Sequence, residues 1–258
     1  MQAEGAVEVI RASALGAVAH GFLGRVGGVS AGIHAGLNVG LGSDDDRAAV
    51  AENRRRAVEA VLPGAALVTV HQVHSAEAVT AVEPWPDESR PRADAIVTDR
   101  PGLLLGVLTA DCAPVLLVDS QARVVGAAHA GWKGALGGVT DAALAAMEAL
   151  GAQRVRIAAA VGPCIAQASY EVDAAFEANF VAAEPLNARF FRSGRAGHAW
   201  FDLAGYVVAR LKVAGIGSVE ALGLDTYADD RRFFSYRRAT HKGEPGYGRQ
   251  IALIGIKR

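Results

Sequence analysis

Short apolar runs bounded by glycine, proline or aspartate recur along the chain. They fall at AVEVI (6–10), ALVTV (66–70), AIVT (95–98), GLLLGVLT (102–109), PVLLVD (114–119), VVGAAHA (124–130), RVRIAAAV (154–161) and IALIGI (251–256). Runs of this length and composition predict β-strands, and those apolar throughout predict strands buried on both faces. Three stretches carry helical periodicity instead. One spans 44–62, with Ser43 and Asp46 resembling a capping box and Pro63-Gly64 as the stop. A second places Val139, Ala143, Met147 and Leu150 on one face and ends before Gly151. A third is capped by Asp202 and aligns Leu203, Val207, Leu211 and Ala214. The order is mixed rather than a regular strand–helix alternation, which predicts an α+β fold of layered mixed β-sheets flanked by helices. The polar stretch EPWPDESRPRAD (83–94) reads as a surface loop. Strand-like sequence continues on both sides of it, so residues 1–258 are read as one domain.

Composition narrows the class. The 258 residues are 51% hydrophobic and 21% charged with a formal net charge of −1, which argues against disorder and against a global field for nucleic acid or membrane. No stretch approaches the roughly 20 apolar residues of a membrane span. Glu4, Glu8 and Arg11 interrupt the N-terminal apolar part, unlike the core of a signal peptide, so the expected location is the cytoplasm. Two cysteines, Cys112 and Cys164, do not make a disulfide framework. Neither G-x-G-x-x-G nor G-x-x-x-x-G-K-[ST] occurs, which removes the main support for dinucleotide or P-loop chemistry. Oligomeric state stays open, because buried strands and interface strands share this pattern.

Candidate chemistry concentrates in HQVHS (71–75), LTADCAPVLLVD (108–119) and AAHAGWKG (127–134). His74, Cys112 and His129 lie 38 and 17 residues apart, which is no local zinc-finger spacing. Their placement carries more: Cys112 sits at the turn between two predicted buried strands, His129 near the end of the second, and His74 after the strand at 66–70. Two histidines and one cysteine suit Zn²⁺ with an open fourth position, where a water pKa falls toward ~7. His71 is an alternative to His74, Cys164 a possible fourth ligand, and Asp111 a group that orients a ligand or moves a proton.

The chain resembles the bacterial YfiH-like family, also called the laccase-domain or peptidoglycan editing factor family. The matching segments run in order over nearly the whole chain. They are HGFLGRVGGVSAGIHAGLNVG (20–40), ENRRR, QVH, ADAIVT, LTADC, AHAGW, VGPCIAQASYEV, FDLAGYVVARL and FFSYRR (233–238). The resemblance implies His74, Cys112 and His129 as metal ligands, with His71 and Cys164 outside the set. It also implies a fold like that of deamidating bacterial toxins. The implied activity is purine nucleoside chemistry: phosphorolysis of adenosine, inosine, guanosine and methylthioadenosine, and adenosine deamination. Other members are associated with polyphenol oxidation or with editing of peptidoglycan precursors. The sequence departs from the family pattern at Lys133, where arginine is usual, and at Thr226-Tyr227, where Thr-Cys is frequent.

Phosphorolysis needs phosphate and nucleoside contacts. Arg25 lies among Gly24, Gly27 and Gly28, which permit close backbone approach, and Lys133 and Arg237-Arg238 are further anion candidates. The last two also read as part of a solvated basic run with Arg231, Arg232 and Lys242. Asn38 suits a base or ribose edge, or simply a turn. Tyr170 suits stacking, or the core. Zinc fits the donors better than copper, since there is no H-x-H pair and only Met1 and Met147 could serve as an axial ligand. The rival readings are a cysteine hydrolase with Cys112 as nucleophile and His129 as base, and a zinc-stabilised binding module.

Overall fold

The computed structural model describes residues 5–258; Met1 to Glu4, part of the N-terminal reading above, lie outside the described residues. In chain order the elements are β1 (Val9–Ile10), β2 (Ala19–Leu23), α1 (Arg47–Val61), β3 (Ala66–Thr69), β4 (Ala78–Thr80), β5 (Ala95–Thr98), β6 (Leu103–Thr109), β7 (Ala113–Asp119) and β8 (Val124–Ala130). There follow α2 (Trp132–Gly137), α3 (Val139–Ala149), β9 (Ala158–Val161), β10 (Glu171–Asp173), α4 (Ala174–Ala183), β11 (Phe191–Ser193), β12 (His198–Phe201), α5 (Leu203–Val213), β13 (Ser218–Ala221), α6 (Tyr236–Lys242) and β14 (Gln250–Gly255).

The strands form two large mixed sheets, β1-β2-β14-β6-β3 and β13-β9-β7-β8-β5-β4, and a small one, β10-β12-β11. The alternation of side chains along a strand explains the uniformly apolar runs. On β6, Leu103, Leu105 and Val107 enter the layer between the large sheets, where they join Leu116, Val118, Val125 and Ala127. Leu104, on the other face, packs with Ala57 and Val61 of α1. Val115, Leu117 and Val124 face the opposite way, toward α3 and α5. The result is helix, sheet, sheet, helix, the layered α+β architecture expected from the sequence.

Several boundaries differ from expectation. Helix α1 begins at Arg47, capped by Asp46, which accepts from the Ala49 N–H at 2.8 Å. Ser43 bonds the Gly40 carbonyl instead, because its hydroxyl belongs to a loop network with Asn38. The run at 154–161 is strand only from Ala158. Arg154 and Arg156 form a short 3₁₀ turn, drawn outward by Glu148 and Asp119. The run at 6–10 pairs only through Val9 and Ile10. The polar stretch 83–94 links β4 to β5, hydrogen-bonded neighbours in one sheet, and is held by the Trp85 indole donating to the Thr69 carbonyl. Strand β2 is apolar but interrupted by His20 and Gly21. A Cβ at Gly21 would lie 2.6 Å from Val9 Cγ1 and 3.1 Å from Val61 Cγ2, so glycine there lets β1 and α1 close over the sheet. No helix among the described residues is long and apolar enough to cross a membrane.

Candidate metal centre and its two cavities

The chain passes from one large sheet to the other at the turn between β6 and β7. Cys112 stands immediately before β7, and antiparallel pairing sets Ala113 opposite Ala130 and Pro114 opposite His129. Strand pairing therefore brings the thiol and the buried imidazole to one sheet end. His74 arrives from the loop after β3. The candidate donor atoms of His74, Cys112 and His129 all lie within 4.8 Å of one another, with Cys112 Sγ 4.0 Å from His74 Nε2. The backbone is left-handed at His74 (φ 61°) and Asp111 (φ 85°), conformations that cost energy and persist where surrounding contacts hold them.

At His74 those contacts come largely from Asp94, whose role no sequence motif indicated. Its buried carboxylate accepts from His129 Nδ1 at 2.8 Å. It also accepts from the N–H groups of Val73 and Ser75 on either side of His74, at 3.1 and 2.6 Å, and from the Ser75 hydroxyl at 2.9 Å. The Asp94 carbonyl takes the His129 N–H at 2.7 Å. One residue thus fixes the His129 ring, leaving Nε2 free toward Cys112, and clamps the loop that carries His74. The available signal was an acid between Ala93 and Ala95 at the mouth of an apolar strand, where a buried charge requires partners. Burial works against the charged form of Asp94, but the His129 and Ser75 bonds outweigh it and hold the carboxyl well below its ordinary range.

Electrostatics at the thiol follow from the same neighbours. Burial pushes Cys112 up, but the adjacent His129 and His74 rings bring it down to about 6. Burial lowers His129, while Cys112 and Asp94 raise it to about 9. Cys164 has no such company: burial, with Asp202, Asp111 and Asp225 nearby, pushes its thiol far up, and it lies outside the three-residue group.

The donor set fits a zinc ion. Zn–S of ~2.3 Å and Zn–N of ~2.0 Å imply tetrahedral N···S edges of about 3.5 Å. The Cys112–His74 contact is 4.0 Å and all three donors lie within 4.8 Å, so they would have to draw together around an ion. A carboxylate–histidine pair behind a ligand is the usual support for such a site. Gly131 keeps the space clear, since a Cβ there would lie 2.9 Å from His74 Cδ2 and 3.0 Å from Cys112 Sγ.

Two cavities meet at this group, and both are lined by His74, Ala110 and Cys112. The larger, about 730 Å³, carries Trp132, Lys133, Tyr170, Phe176 and Arg237. Trp132 and Phe176 lie 4.9 Å apart between ring centroids. The Lys133 ammonium sits 5.5 Å from the Trp132 ring centre. Arg237 lies 5.3 Å over the Tyr170 ring and donates to the Glu171 carbonyl at 2.8 Å. The smaller cavity, about 300 Å³, carries His71, Arg90, Thr109, His129 and Arg249.

Of the other sequence candidates, Asp111 also lines the larger cavity, whereas Arg25 and Asn38 sit elsewhere. Asp111 directs its hydrogen bonds to Thr226 Oγ1 (2.7 Å), Ser235 Oγ (2.9 Å) and the Arg237 N–H (2.7 Å), tying the turn to the start of α6. Burial raises its carboxyl despite these bonds. Arg25 spends its guanidinium on the carbonyls of Ala35 and Asp230 and lines a separate cavity with Arg238 and Lys242. Asn38 is buried, donating to Ser43 and Asp45 and accepting from the N–H groups of Gly40 and Arg249. Arg237 and Arg238 are not a solvated run: Arg238 is pinned to the carbonyls of Thr226, Tyr227 and Phe233.

Residues 19–257 match the model of a family described as multi-copper polyphenol oxidoreductase laccase. The chain is 44% identical over 247 residues to a Deinococcus radiodurans protein named purine nucleoside phosphorylase, covering 94% of this chain and 90% of the relative. A Streptomyces griseus protein of the same name is 42% identical over 219 residues, covering 84% of this chain and 87% of the relative. Among solved structures, YlmD from Geobacillus stearothermophilus superposes with a TM-score of 0.88 at 29% identity, over 100% of this chain and 98% of that one. YfiH from Bacillus licheniformis gives 0.85 at 28% identity, again over 100% and 98%. With ordered motifs, near-complete coverage and the same fold in agreement, the chain belongs to the YfiH-like, laccase-domain family.

Proposed function

We propose that the protein is a zinc-dependent purine nucleoside phosphorylase acting on adenosine, inosine, guanosine and methylthioadenosine, with adenosine deaminase activity at the same site. The observation that carries this reading is the convergence of His74, Cys112 and His129 on the wall of a cavity that also presents aromatic rings and cations. The names of the Deinococcus and Streptomyces relatives support phosphorolysis.

In phosphorolysis a phosphate oxygen bonds to ribose C1′ as the C1′–N9 bond breaks. The bonding pair leaves with the purine, which takes up a proton, and the products are ribose 1-phosphate and free base. Trp132, Tyr170 and Phe176 offer faces and edges to a purine, and Tyr170 stays neutral because burial pushes its phenol up. Lys133 and Arg237 supply positive charge at the cavity wall, Lys133 as a point charge rather than a bidentate fork. Asp94 holds the His129 ring through Nδ1, which preorganises the donor group. Zinc held by the three donors would supply Lewis acidity at their open position. The test is metal analysis of the purified protein together with a product screen on the four nucleosides, with and without phosphate. Stoichiometric zinc and phosphate-dependent release of base support the reading; equal turnover without phosphate refutes phosphorolysis as the main reaction.

A second reading is favoured by the series Cys112, His129, Asp94: a thiol lowered to about 6, an imidazole beside it and a carboxylate behind that imidazole. This is the arrangement of a cysteine hydrolase, suited to an amide in a peptidoglycan precursor. Activity in metal-free protein that alkylation abolishes would establish it over the zinc reading.

A further inference from the structure

The smaller cavity has a composition unlike the larger one. Arg90 and Arg249 both line it, and no aspartate or glutamate does. Arg90 donates through Nε to the Asp87 carbonyl at 2.7 Å. Arg249 donates through Nη2 to the Tyr247 hydroxyl at 3.1 Å and stacks 4.6 Å over that ring. Among the described residues Arg249 has no carboxylate partner. Gly40 makes room for it, since a Cβ there would lie 3.2 Å from Arg249 Nη1. Thr109 supplies a second and independent observation. It is 2% exposed, lines this cavity, and its Oγ1 finds no hydrogen-bond partner among the described residues. Arg90 Nε lies 3.8 Å from the exposed Asp87 carboxylate outside the cavity. The cavity itself therefore holds two arginines, one of them without an acid partner, and a buried unpartnered hydroxyl, with no carboxylate in its lining.

We infer that the smaller cavity binds a tetrahedral oxyanion, inorganic phosphate, through Arg90, Arg249 and Thr109, and delivers it to the His74–Cys112 wall from the side opposite the nucleoside. The identity of the anion rests on the phosphorolytic reading above. Stereochemistry favours two entrances. The phosphate oxygen that bonds to C1′ and the purine that leaves it occupy opposite sides of that carbon, and here the large aromatic cavity and the small cationic one share one wall. Lys133 and Arg237 then serve the nucleoside cavity rather than the attacking anion.

The experiment is calorimetric titration of inorganic phosphate into the zinc-loaded protein and its variants, with melting temperature as the check on folding. Arg90→Gln and Arg249→Gln are each expected to weaken phosphate about tenfold or more, the loss of one charge-assisted contact. Thr109→Val is expected to weaken it severalfold. Arg55→Gln, at an exposed cation on α1 paired with Glu52, serves as the charge control and leaves binding unchanged. Arg90 lies in a loop, so its variant carries the test should Arg249→Gln fold poorly. Full phosphate affinity in folded Arg90→Gln and Arg249→Gln, with loss in Lys133→Gln, would place the anion in the large cavity and overturn this inference while phosphorolysis stands. No phosphate binding by the unaltered protein, with or without nucleoside, would overturn both. Adenosine monophosphate binding tenfold tighter than phosphate, and lost in the same arginine variants, would overturn free phosphate as the occupant.

Discussion

The two cysteines occupy neighbouring regions and differ in almost every chemical respect. Cys112 precedes β7 and Cys164 follows β9, strands that pair directly, and the Gly162 N–H to Pro114 and Ile165 N–H to Asp111 bonds bracket the pair of segments. Both thiols are free. Cys112 is partly exposed at the meeting of two cavities, beside two imidazoles that favour its thiolate. Cys164 is 4% exposed, belongs to the helix-side core, and has carboxylates for company. Neither residue type nor position in the sheet makes one a candidate ligand and the other a core filler. The charge of the nearest neighbours does.

The sharpest way to break this comparison is to remove each sulfur in turn. Cys112→Ser is expected to lose metal affinity and turnover by more than the ~100-fold ceiling typical of outer supports, since it removes one of the three candidate ligands of the proposed zinc site. Cys164→Ser is expected to keep full metal content and to cost about 1–3 kcal/mol of stability for a buried hydroxyl, read as a lower melting temperature. Comparable metal loss in both variants would void the distinction. Next in size is Asp94→Asn. It keeps the shape but removes the charge that orients His129 and clamps the His74 loop, so metal affinity should fall about 10- to 100-fold by competition with a chelator.

A pH test sharpens the contrast further. The thiolate is the form that alkylates. Because the Cys112 value is lowered, metal-free protein should begin to react as pH rises through about 6, where an ordinary thiol is still protonated. Cys164, raised by burial and nearby acids, should stay unlabelled in the folded state. Peptide mapping of the alkylated sites decides it, and labelling of both cysteines with one pH midpoint would contradict the geometry. Smallest is Gly131→Ala. Its Cβ would crowd His74 and Cys112, so metal affinity should drop severalfold at an almost unchanged melting temperature.

Much of this was readable along the chain. The continuous runs of β6, β7 and β8 announced strands with two buried faces, Asp202 announced α5, and the Ser43–Asp46 pattern announced α1, although Asp46 rather than Ser43 caps it. Elements with weak local signals were not readable. Strand β2 is broken by His20 and Gly21, and the small sheet and α4 are stabilised by a cluster that includes Phe176, Phe180 and Phe201 rather than by periodicity. The three candidate ligands were nameable through their motifs, but Asp94, which organises two of them, was not. Its importance depends on touching His129 and the Val73–Ser75 backbone at once.

The sequence by itself determined the layered α+β class, the strands that carry Cys112 and His129, and the family, because hydrophobic alternation and ordered motifs are local properties of the chain. Only the tertiary structure decided which polar residues share a site. It sent Arg25 and Asn38 into loop networks and turned the hydrogen bonds of Asp111 toward α6. It also brought Arg90 and Arg249, 159 residues apart, to one cavity. The physical reason is that a hydrogen bond or a shifted pKa depends on distance in space and on burial, and the packing of one sheet against another sets both.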